Sequence, residues 1–381
     1  MERDLEKRTG LSRRKLLIGG AAGAALPALH QLVPHQGIHD AIEGASASEG
    51  HGGASHGAAP HGGAGGPAFR QGDTVDHAAN GFNPTEMLRD FDWGKTTRLP
   101  TGRVLREWNL VAGDKEIEVA PGVHYPAWVY NGRAPGPTLR CREGERLRIN
   151  FFNASEHPHT IHFHGIHPAE MDGIPGLGAG LIQKGGRTTY EFDAEPFGLH
   201  LYHCHAGPLA EHIARGLYGG FIIDPKDGRP DADELMMVMN GFNTNFDAEG
   251  NQVYAVNTVA FHYVNEPIAV ERAAPVRIYL VNILEYDPIN SFHIHANFFN
   301  YFPTGTSLEP TEFTDTILQA QAQRGILELE FPHAGDFMFH AHKSEFAELG
   351  WMGFFRVGGP ADVRRQPTAF HDPAALEGAN A

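Results

Sequence analysis

Two cysteines are the whole thiol complement of the 381-residue chain, too few for a framework of disulfide bonds. Charged residues are also scarce, at 20% of the sequence, and acidic residues outnumber basic ones to give a formal net charge of −16. This balance excludes the basic footprint of a nucleic-acid-binding protein and disfavours an anionic membrane surface as a partner. No apolar run is long enough to span a bilayer. What remains is a chain with ample length for two or three globular domains.

Histidine, by contrast, is abundant, with 24 residues. The densest motif is Tyr-His-Cys-His at residues 202–205, and His212 follows it closely. In an extended strand the two histidines of the motif point to one face and Cys204 to the other, so this stretch can serve two metal centres. A thiolate with two imidazoles is the ligand set of a blue-copper electron-transfer site. The alternative, a disulfide between Cys204 and Cys141, is disfavoured by the flanking histidines and by the motifs described below.

The N-terminal residues have the pattern of an export signal. Arg13 and Arg14 precede a short run rich in glycine and alanine that ends near Leu29, a pattern that resembles a twin-arginine signal. We therefore predict that residues 1–30 direct export and that the protein is periplasmic or extracellular. An uncleaved amphipathic anchor is the alternative.

A segment poor in large apolar residues follows, from about residue 31 to residue 80. Such a composition cannot bury enough surface to offset chain entropy. We predict a disordered Gly/Ala/His-rich segment and a lead-in, together covering 31–98. His51, His56 and His61 recur at a five-residue spacing. A solvated linker is the favoured interpretation of this spacing, and a copper-collecting tether is the alternative.

From residue 99 the sequence consists of short segments of alternating apolar and polar residues, broken by Gly, Pro and Asn. Residues 146–151 and 189–192 alternate most clearly. Short strands without helical periodicity predict β-sandwiches or small barrels. A turn-rich connector lies at 224–230. We therefore predict domain 1 over 99–227, domain 2 over 228–359 and a loose tail over 360–381.

Domain 2 repeats the histidine pattern of domain 1. In each domain a His-X-His pair lies five residues after a glycine, and a second His-X-His pair lies earlier in the sequence. Each domain therefore offers two in-phase pairs, and the two domains together offer eight imidazoles. The pairs are His162 with His164 and His203 with His205 in domain 1, and His293 with His295 and His340 with His342 in domain 2.

Three differences distinguish domain 2 from domain 1. Cys204 becomes Ala341, His159 becomes Asn290, and the loop that carries His212 is shorter and contains no histidine. All three changes remove the candidate blue-copper ligands and leave the paired histidines in place. Histidines that serve only as core residues would not be kept and lost so selectively, so the sequence indicates two separate kinds of metal centre.

These motifs resemble those of the multicopper oxidases, and the layout resembles their two-domain bacterial members with type 1 copper in the first domain only. The resemblance covers roughly residues 100 to 358 and rests on His-Phe-His-Gly at 162–165, Met-Asp-Gly-Ile-Pro-Gly at 171–176 and His-Cys-His at 203–205. It implies an all-β fold of two cupredoxin-type Greek-key β-barrels in tandem.

The resemblance also implies a set of four copper ions per chain, with no other cofactor. The expected type 1 ligands are His159, Cys204 and His212, with Leu217 as a non-coordinating residue at the axial position. The expected type 2 ligands are His162 and His293. The expected type 3 ligands are His164, His203, His205, His295, His340 and His342.

The implied activity is copper-dependent oxidation of a small reducing substrate, phenolic by default and laccase-like, coupled to reduction of dioxygen to water. Asp172 is the expected acid near the cluster, and a loop aspartate before glycine is the alternative interpretation. A copper nitrite reductase is the alternative function, and a periplasmic copper-binding electron carrier is a further one. Because the histidines are divided between two domains, a head-to-tail ring with clusters at its interfaces is the expected assembly. The resemblance favours a homotrimer for this ring.

Overall fold

The computed structural model describes residues 72–287 and 289–358. The predictions for residues 1–71 and for the tail after residue 358 lie outside the described residues. The strands of domain 1 are β1 (Phe91–Asp92), β2 (Lys95–Arg98), β3 (Val104–Ala120), β4 (Val123–Tyr130), β5 (Thr138–Arg142), β6 (Arg146–Asn153), β7 (His162–Phe163), β8 (Arg187–Asp193), β9 (Gly198–His203) and β10 (Tyr218–Asp224). The strands of domain 2 are β11 (Asp233–Phe242), β12 (Val253–Val256), β13 (Ile268–Glu271), β14 (Val276–Asn282), β15 (Ile289–Ile294), β16 (Phe299–Pro303), β17 (Glu312–Thr314), β18 (Thr316–Ala320), β19 (Arg324–Leu329), β20 (Gly335–His340) and β21 (Met352–Gly358). The helices are α1 (His77–Asn80), α2 (Pro84–Met87), a 3₁₀ turn (Ala169–Met171), α3 (Leu209–Ala214), α4 (His262–Asn265) and α5 (Ser344–Glu348).

Each domain consists of two mixed sheets. In domain 1 the orders are β1-β5-β10-β9-β7 and β2-β3-β6-β8, with β4 paired to β3. In domain 2 they are β12-β11-β14-β19-β16-β17 and β13-β21-β20-β15-β18. The predicted all-β fold class of two cupredoxin-type barrels is confirmed. Within the described residues, no helix has the length and hydrophobicity needed to cross a membrane.

Strand β6 shows how the sequence directs this fold. Leu147, Ile149 and Phe151 are buried in the core of domain 1, and the residues between them are partly exposed. The two-residue period matches the alternation of side chains across a strand. Full burial of such side chains contributes roughly 1.5–3 kcal/mol each. The same alternation places the core between the two sheets.

A buried ionic cluster joins the two domains. The guanidinium of Arg140 on β5 is inaccessible to solvent and binds both carboxylate oxygens of Asp224 and both of Glu234, at 2.7–3.0 Å. Glu234 lies on β11 of domain 2 and also accepts a hydrogen bond from Arg277 at 2.9 Å. Because removal of one partner would leave buried charges uncompensated, truncation of Arg140 would cost about 3–5 kcal/mol.

The lead-in differs from its predicted disorder over residues 72–80. Helix α1 begins after Asp76, whose carboxylate caps two backbone N–H groups, and ends at Gly81 in the left-handed conformation. Asn80 hydrogen-bonds the backbone of Glu118 on β3 through both ends of its amide. Further along, Leu88 is fully buried in the core of domain 2. Asp76 and Asn80 are single polar residues, and the average composition of the segment does not reveal their contacts.

Candidate metal centres

Three residues of domain 1 converge in a buried cluster. His159 and Cys204 are inaccessible to solvent, and His212 is 3% exposed. The Sγ of Cys204 lies 3.3 Å from Nδ1 of His212 and 3.8 Å from Nδ1 of His159, and the two Nδ1 atoms are 3.1 Å apart. Three donor atoms at these separations can bind one ion between them.

Hydrogen bonds orient the donors of this cluster. The hydroxyl of Ser155 donates to Asp114 at 2.7 Å and therefore accepts from Nε2 of His159, 2.9 Å away. This arrangement fixes the proton of His159 on Nε2 and turns the lone pair of Nδ1 toward the thiol. The backbone N–H groups of Thr160 and Ala206 donate to Sγ of Cys204 at 3.3 and 3.4 Å.

Burial dominates the titration of the cluster. Desolvation, followed by the neighbouring His212, lowers the pKa of His159 to about 3. Desolvation also lowers the pKa of His212 to about 4. Burial raises the pKa of Cys204, while the backbone N–H groups on its sulfur oppose that rise. The imidazoles therefore stay neutral, which is the form that binds metals.

Strand pairing assembles the four paired histidines of domain 1. His162 on β7 is directly opposite His203 on β9, and their ring centroids are 5.1 Å apart. The ring of His205 lies 5.3 Å from that of His162. Nε2 of His164 lies 3.0 Å from Nε2 of His203. These rings lie on the opposite side of the chain from Cys204, which faces the core.

Domain 2 contains a matching set. His293 on β15 is directly opposite His340 on β20, and the ring of His342 lies 5.3 Å from that of His293. Nε2 of His295 lies 2.9 Å from Nε2 of His340. The orienting contacts repeat as well. Nδ1 of His162 faces the carbonyl oxygen of Asp172 at 2.8 Å, and Nδ1 of His293 faces that of Asp315 at 3.0 Å.

Apolar residues occupy the positions in domain 2 that correspond to Cys204, His212 and Leu217. The backbone bonds Cys204 N to Leu217 O and Leu217 N to His212 O recur as Ala341 N to Trp351 O and Trp351 N to Phe346 O. Phe346 and Trp351 therefore take the places of His212 and Leu217, and both are inaccessible to solvent. His212 itself lies on helix α3, whereas the sequence analysis placed it in a loop.

The two four-histidine sets remain separate within one chain. Among residues 72–287 and 289–358, no group of potential metal ligands contains histidines of both domains. His295 and His342 of the second set are exposed to solvent. Each domain therefore carries its own set of four paired histidines.

Asp172 lies against the first set. Its carboxylate is 3.2 Å from Nδ1 of His162 and 3.6 Å from Nε2 of His167. It follows the 3₁₀ turn at the mouth of the set and is partly exposed. His167 lies three residues after His164 and so does not continue the His-X-His spacing. It is nevertheless a neighbour of this carboxylate. It also faces the carbonyl oxygen of Phe163 at 2.9 Å.

Two family models, both described as Multicopper oxidase, match residues 112–228 and residues 229–360. Together they span more than half of the chain. The chain belongs to the multicopper oxidase family.

Similar proteins support this membership. A crystal structure of a multicopper oxidase is 63% identical, with a TM-score of 0.74, and the match covers 75% of this chain and 100% of that one. The copper-containing nitrite reductase of Neisseria meningitidis is 35% identical over 131 residues, 34% of this chain and 33% of that protein. The copper resistance protein A homolog of Pseudomonas syringae pv. tomato is 36% identical over 132 residues, 34% of this chain and 22% of that protein. The chain thus spans a third or less of the length of these curated relatives.

The donor chemistry of this multicopper oxidase chain fits copper. Imidazole and thiolate are ligands that copper accepts readily, and the cluster of two imidazoles with one thiol has the composition of a blue-copper site. The orienting hydrogen bonds leave Nδ1 of His159 and Nε2 of His203 free for a metal.

Trp128 on β4 is a neighbour of the thiol-centred cluster that sequence reasoning missed. Its ring centroid lies 4.6 Å from that of His212, 5.2 Å from that of His159 and 4.6 Å from that of His157. The guanidinium of Arg215 lies 5.3 Å from the Trp128 centroid. No motif marks this tryptophan, because its role depends on packing against residues distant in sequence.

Proposed function

We propose that the protein couples four one-electron oxidations of a small reducing substrate to the reduction of dioxygen by four electrons and four protons to two molecules of water. The observation that carries this proposal is the pair of matching four-histidine sets, one of which continues through Cys204 into a separate ligand cluster. Bound copper would supply the electron acceptor beside Cys204 and the oxygen-reducing centre at the histidine sets. Laccase-like oxidation of phenols is the proposed substrate class.

Four coppers per chain are proposed. The type 1 ligands are His159, Cys204 and His212, and the type 2 ligands are His162 and His293. The remaining six paired histidines bind the two type 3 coppers. The division into type 2 and type 3 ligands is supported by the strand register, in which His162 and His293 occupy equivalent positions.

The polypeptide itself links the two centres. Cys204 is bonded directly to His203 and His205, so only a few covalent bonds separate the thiol from imidazoles of the other set. Asp172 supplies protons, because its carboxylate faces both His162 and His167. The reaction consumes protons, and a carboxylic acid beside the set is a group that can deliver them.

A head-to-tail homotrimer completes the array, with the domain 1 set of one chain facing the domain 2 set of the next. The separation of the two sets within one chain supports this arrangement. One exposed apolar side chain also lies near each set. Ile166, two residues after His164, is 68% exposed, and Leu318, opposite Ser291 on β15, is 63% exposed.

The twin arginines at positions 13 and 14 support export to the periplasm or the cell exterior. Nitrite reduction is the second candidate function, favoured by the 35% identity to a copper-containing nitrite reductase. A single type 2 copper needs only three histidines, however, and this chain places four in each domain.

Copper stoichiometry with visible and EPR spectra of the purified protein tests these functions. Four coppers per chain, with type 1 and type 2 EPR signals and an EPR-silent pair, are the expected result. Two coppers per chain would instead indicate the reductase, and one would indicate a simple electron carrier.

A further inference from the structure

A further group of side chains with metal-ligand donors lies between the lead-in and domain 2. Its members are His77 on α1, His262 on α4 and Glu266, and their ligand atoms all lie within 4.8 Å of one another. None of these residues belongs to the histidine sets or to the thiol-centred cluster. Neither the sequence motifs nor the family resemblance points to them.

The geometry of the group suits one small cation. Nε2 of His77 lies 4.0 Å from Oε1 of Glu266, and Nε2 of His262 lies 3.8 Å from Oε2 of the same carboxylate. Ligand atoms bound at about 2.0–2.2 Å to a tetrahedral zinc ion lie roughly 3.3 Å apart. The two imidazole–carboxylate distances therefore need to shorten by less than one ångström. The hydroxyl of Thr85 is a neighbouring oxygen, 2.7 Å from Nε2 of His262 and 3.1 Å from Oε2 of Glu266.

The hydrogen bonding of His77 is incomplete. Its Nδ1 atom is buried and has no hydrogen-bond partner in the described part of the chain. Its Nε2 atom is too far from Glu266 for a hydrogen bond. No hydrogen bond within the described residues therefore holds this ring through either nitrogen. A bound ion would hold this ring in place.

The other two members of the group are a buried neutral imidazole, His262, and a partly exposed carboxylate, Glu266. The side chain of His262 is 3% exposed. Desolvation, followed by the neighbouring His77, lowers the pKa of His262 to about 3, so the imidazole stays neutral. Its Nε2 proton faces the hydroxyl of Thr85, which donates to Glu266, so this proton must move to Nδ1 before Nε2 binds an ion. Glu266 is 49% exposed, which leaves a route for an ion from solvent and supplies a negative charge.

We propose that His77, His262 and Glu266 bind a divalent transition-metal ion of the Zn²⁺ or Cu²⁺ type, which fastens the lead-in to domain 2. Two imidazoles and one carboxylate suit both ions, and Cu²⁺ binds such donors more tightly than Zn²⁺ does. The ion supports contacts that already join these segments. Asn265 donates to the carbonyl oxygen of Asp73 at 2.7 Å, and the hydroxyl of Tyr263 donates to that of Pro84 at 2.8 Å.

Zinc titration of the full-length protein, loaded with four coppers per chain and freed of excess copper by a chelator wash, tests the site, with thermal unfolding as the readout. An ion that binds only the folded state raises Tm with its concentration. We expect a rise of several degrees that saturates at one zinc ion per chain and is lost in both His77→Ala and Glu266→Gln. His51, His56 and His61 are common to all variants, so zinc bound by them cancels in the comparison.

A matched pair of surface residues provides the control. Nδ1 of His124 lies 3.5 Å from Oε1 of Glu116, and both side chains are more than half exposed. His124→Ala and Glu116→Gln should keep the full zinc-dependent shift. A wild-type Tm that does not respond to zinc, or an equal response in His77→Ala and Glu266→Gln, would show that the group is only a hydrogen-bonded cluster. A parallel Cu²⁺ titration identifies the preferred ion by the lower free concentration at half-maximal shift.

Discussion

Nδ1 of His203 lies 2.9 Å from the carbonyl oxygen of Cys204, and the same contact joins His340 to Ala341 at 2.7 Å in domain 2. A carbonyl oxygen only accepts, so Nδ1 carries the proton in both histidines and Nε2 is left for a metal. In domain 1 the residue between the paired histidines is a thiol that reaches the second ligand cluster. In domain 2 the corresponding residue is Ala341, whose side chain is a methyl group. A covalent link between a paired-histidine set and the thiol-centred cluster therefore exists in domain 1, and Ala341 supplies no such link in domain 2.

Cys204→Ser should abolish the intense visible absorption of a thiolate-bound copper and the oxidase activity, because an alcohol oxygen cannot replace the sulfur. Copper bound by the paired histidines should remain, as measured by metal analysis. Cys141→Ser is the control, since Cys141 is also fully buried but lies at β5 and faces the carbonyl oxygen of Ile222. A Cys204→Ser protein that kept its colour would contradict the assignment.

Leu217→Met should lower the reduction potential of the type 1 copper, because a thioether at the axial position stabilises the oxidised ion. The exchange nearly conserves volume and should cost less than about 1.5 kcal/mol of stability. Redox titration of the visible band measures the change. Leu147→Met, a buried exchange on β6, is the control and should leave the potential unaltered. An unchanged potential and spectrum in Leu217→Met would mean that another group holds the axial position.

Asp172→Asn should slow reoxidation of the reduced protein by dioxygen by about 100-fold, the low end of the usual contribution of a positioned acid. Copper content should stay the same. Stopped-flow reoxidation across pH measures the step. Glu170→Gln, which neutralises an exposed acid in the same turn, should have little effect. Reoxidation of Asp172→Asn at the wild-type rate would remove this carboxylate from the proton route.

Complementation between two inactive variants tests the assembly. One chain carries His162→Ala with His164→Ala, and the other carries His340→Ala with His342→Ala. In mixed rings some junctions pair an intact domain 1 with an intact domain 2, so activity should return on mixing. Each variant alone, taken through the same unfolding and reassembly, is the control. Persistent inactivity in verified hetero-oligomers would refute clusters shared between chains.

The copper-free protein should lose stability as the pH falls from about 6.5 toward 3. Burial lowers the pKa of His159 and that of His164 to about 3, so the unfolded chain takes up protons in this window that the folded chain does not. Between pH 7 and pH 5 each histidine should cost about 2 kcal/mol of unfolding free energy. Urea denaturation at both pH values measures the loss. His159→Asn should reduce the loss and His124→Ala should not, and equal stability at the two pH values would contradict the prediction.

Much of this architecture was predictable because side chains along a strand alternate between its two faces, with a period of two residues. Alternation along residues 146–151 indicated β6, and the same period placed the paired histidines on one face and Cys204 on the other. The absence of a second thiol-centred cluster was also visible, since Ala341 and Asn290 stand where ligands would be needed.

Other features depend on packing that no local pattern encodes. His212 lies on the short helix α3. A helix of six residues shows too little periodicity to be predicted from the sequence. Phe346 and Trp351 fill the corresponding region of domain 2, which an alignment of ligands alone does not reveal. His77 and His262 approach each other from distant parts of the chain, through contacts of Thr85 and Asn265.

The buried cluster of Arg140, Asp224 and Glu234 joins the two domains that carry the histidine sets of one chain. In the proposed trimer, formation of the proposed oxygen-reducing centre would be a matter of mass action. Dilution of the protein would separate the half-sites and switch off oxygen reduction, while each monomer kept its fold and its type 1 centre.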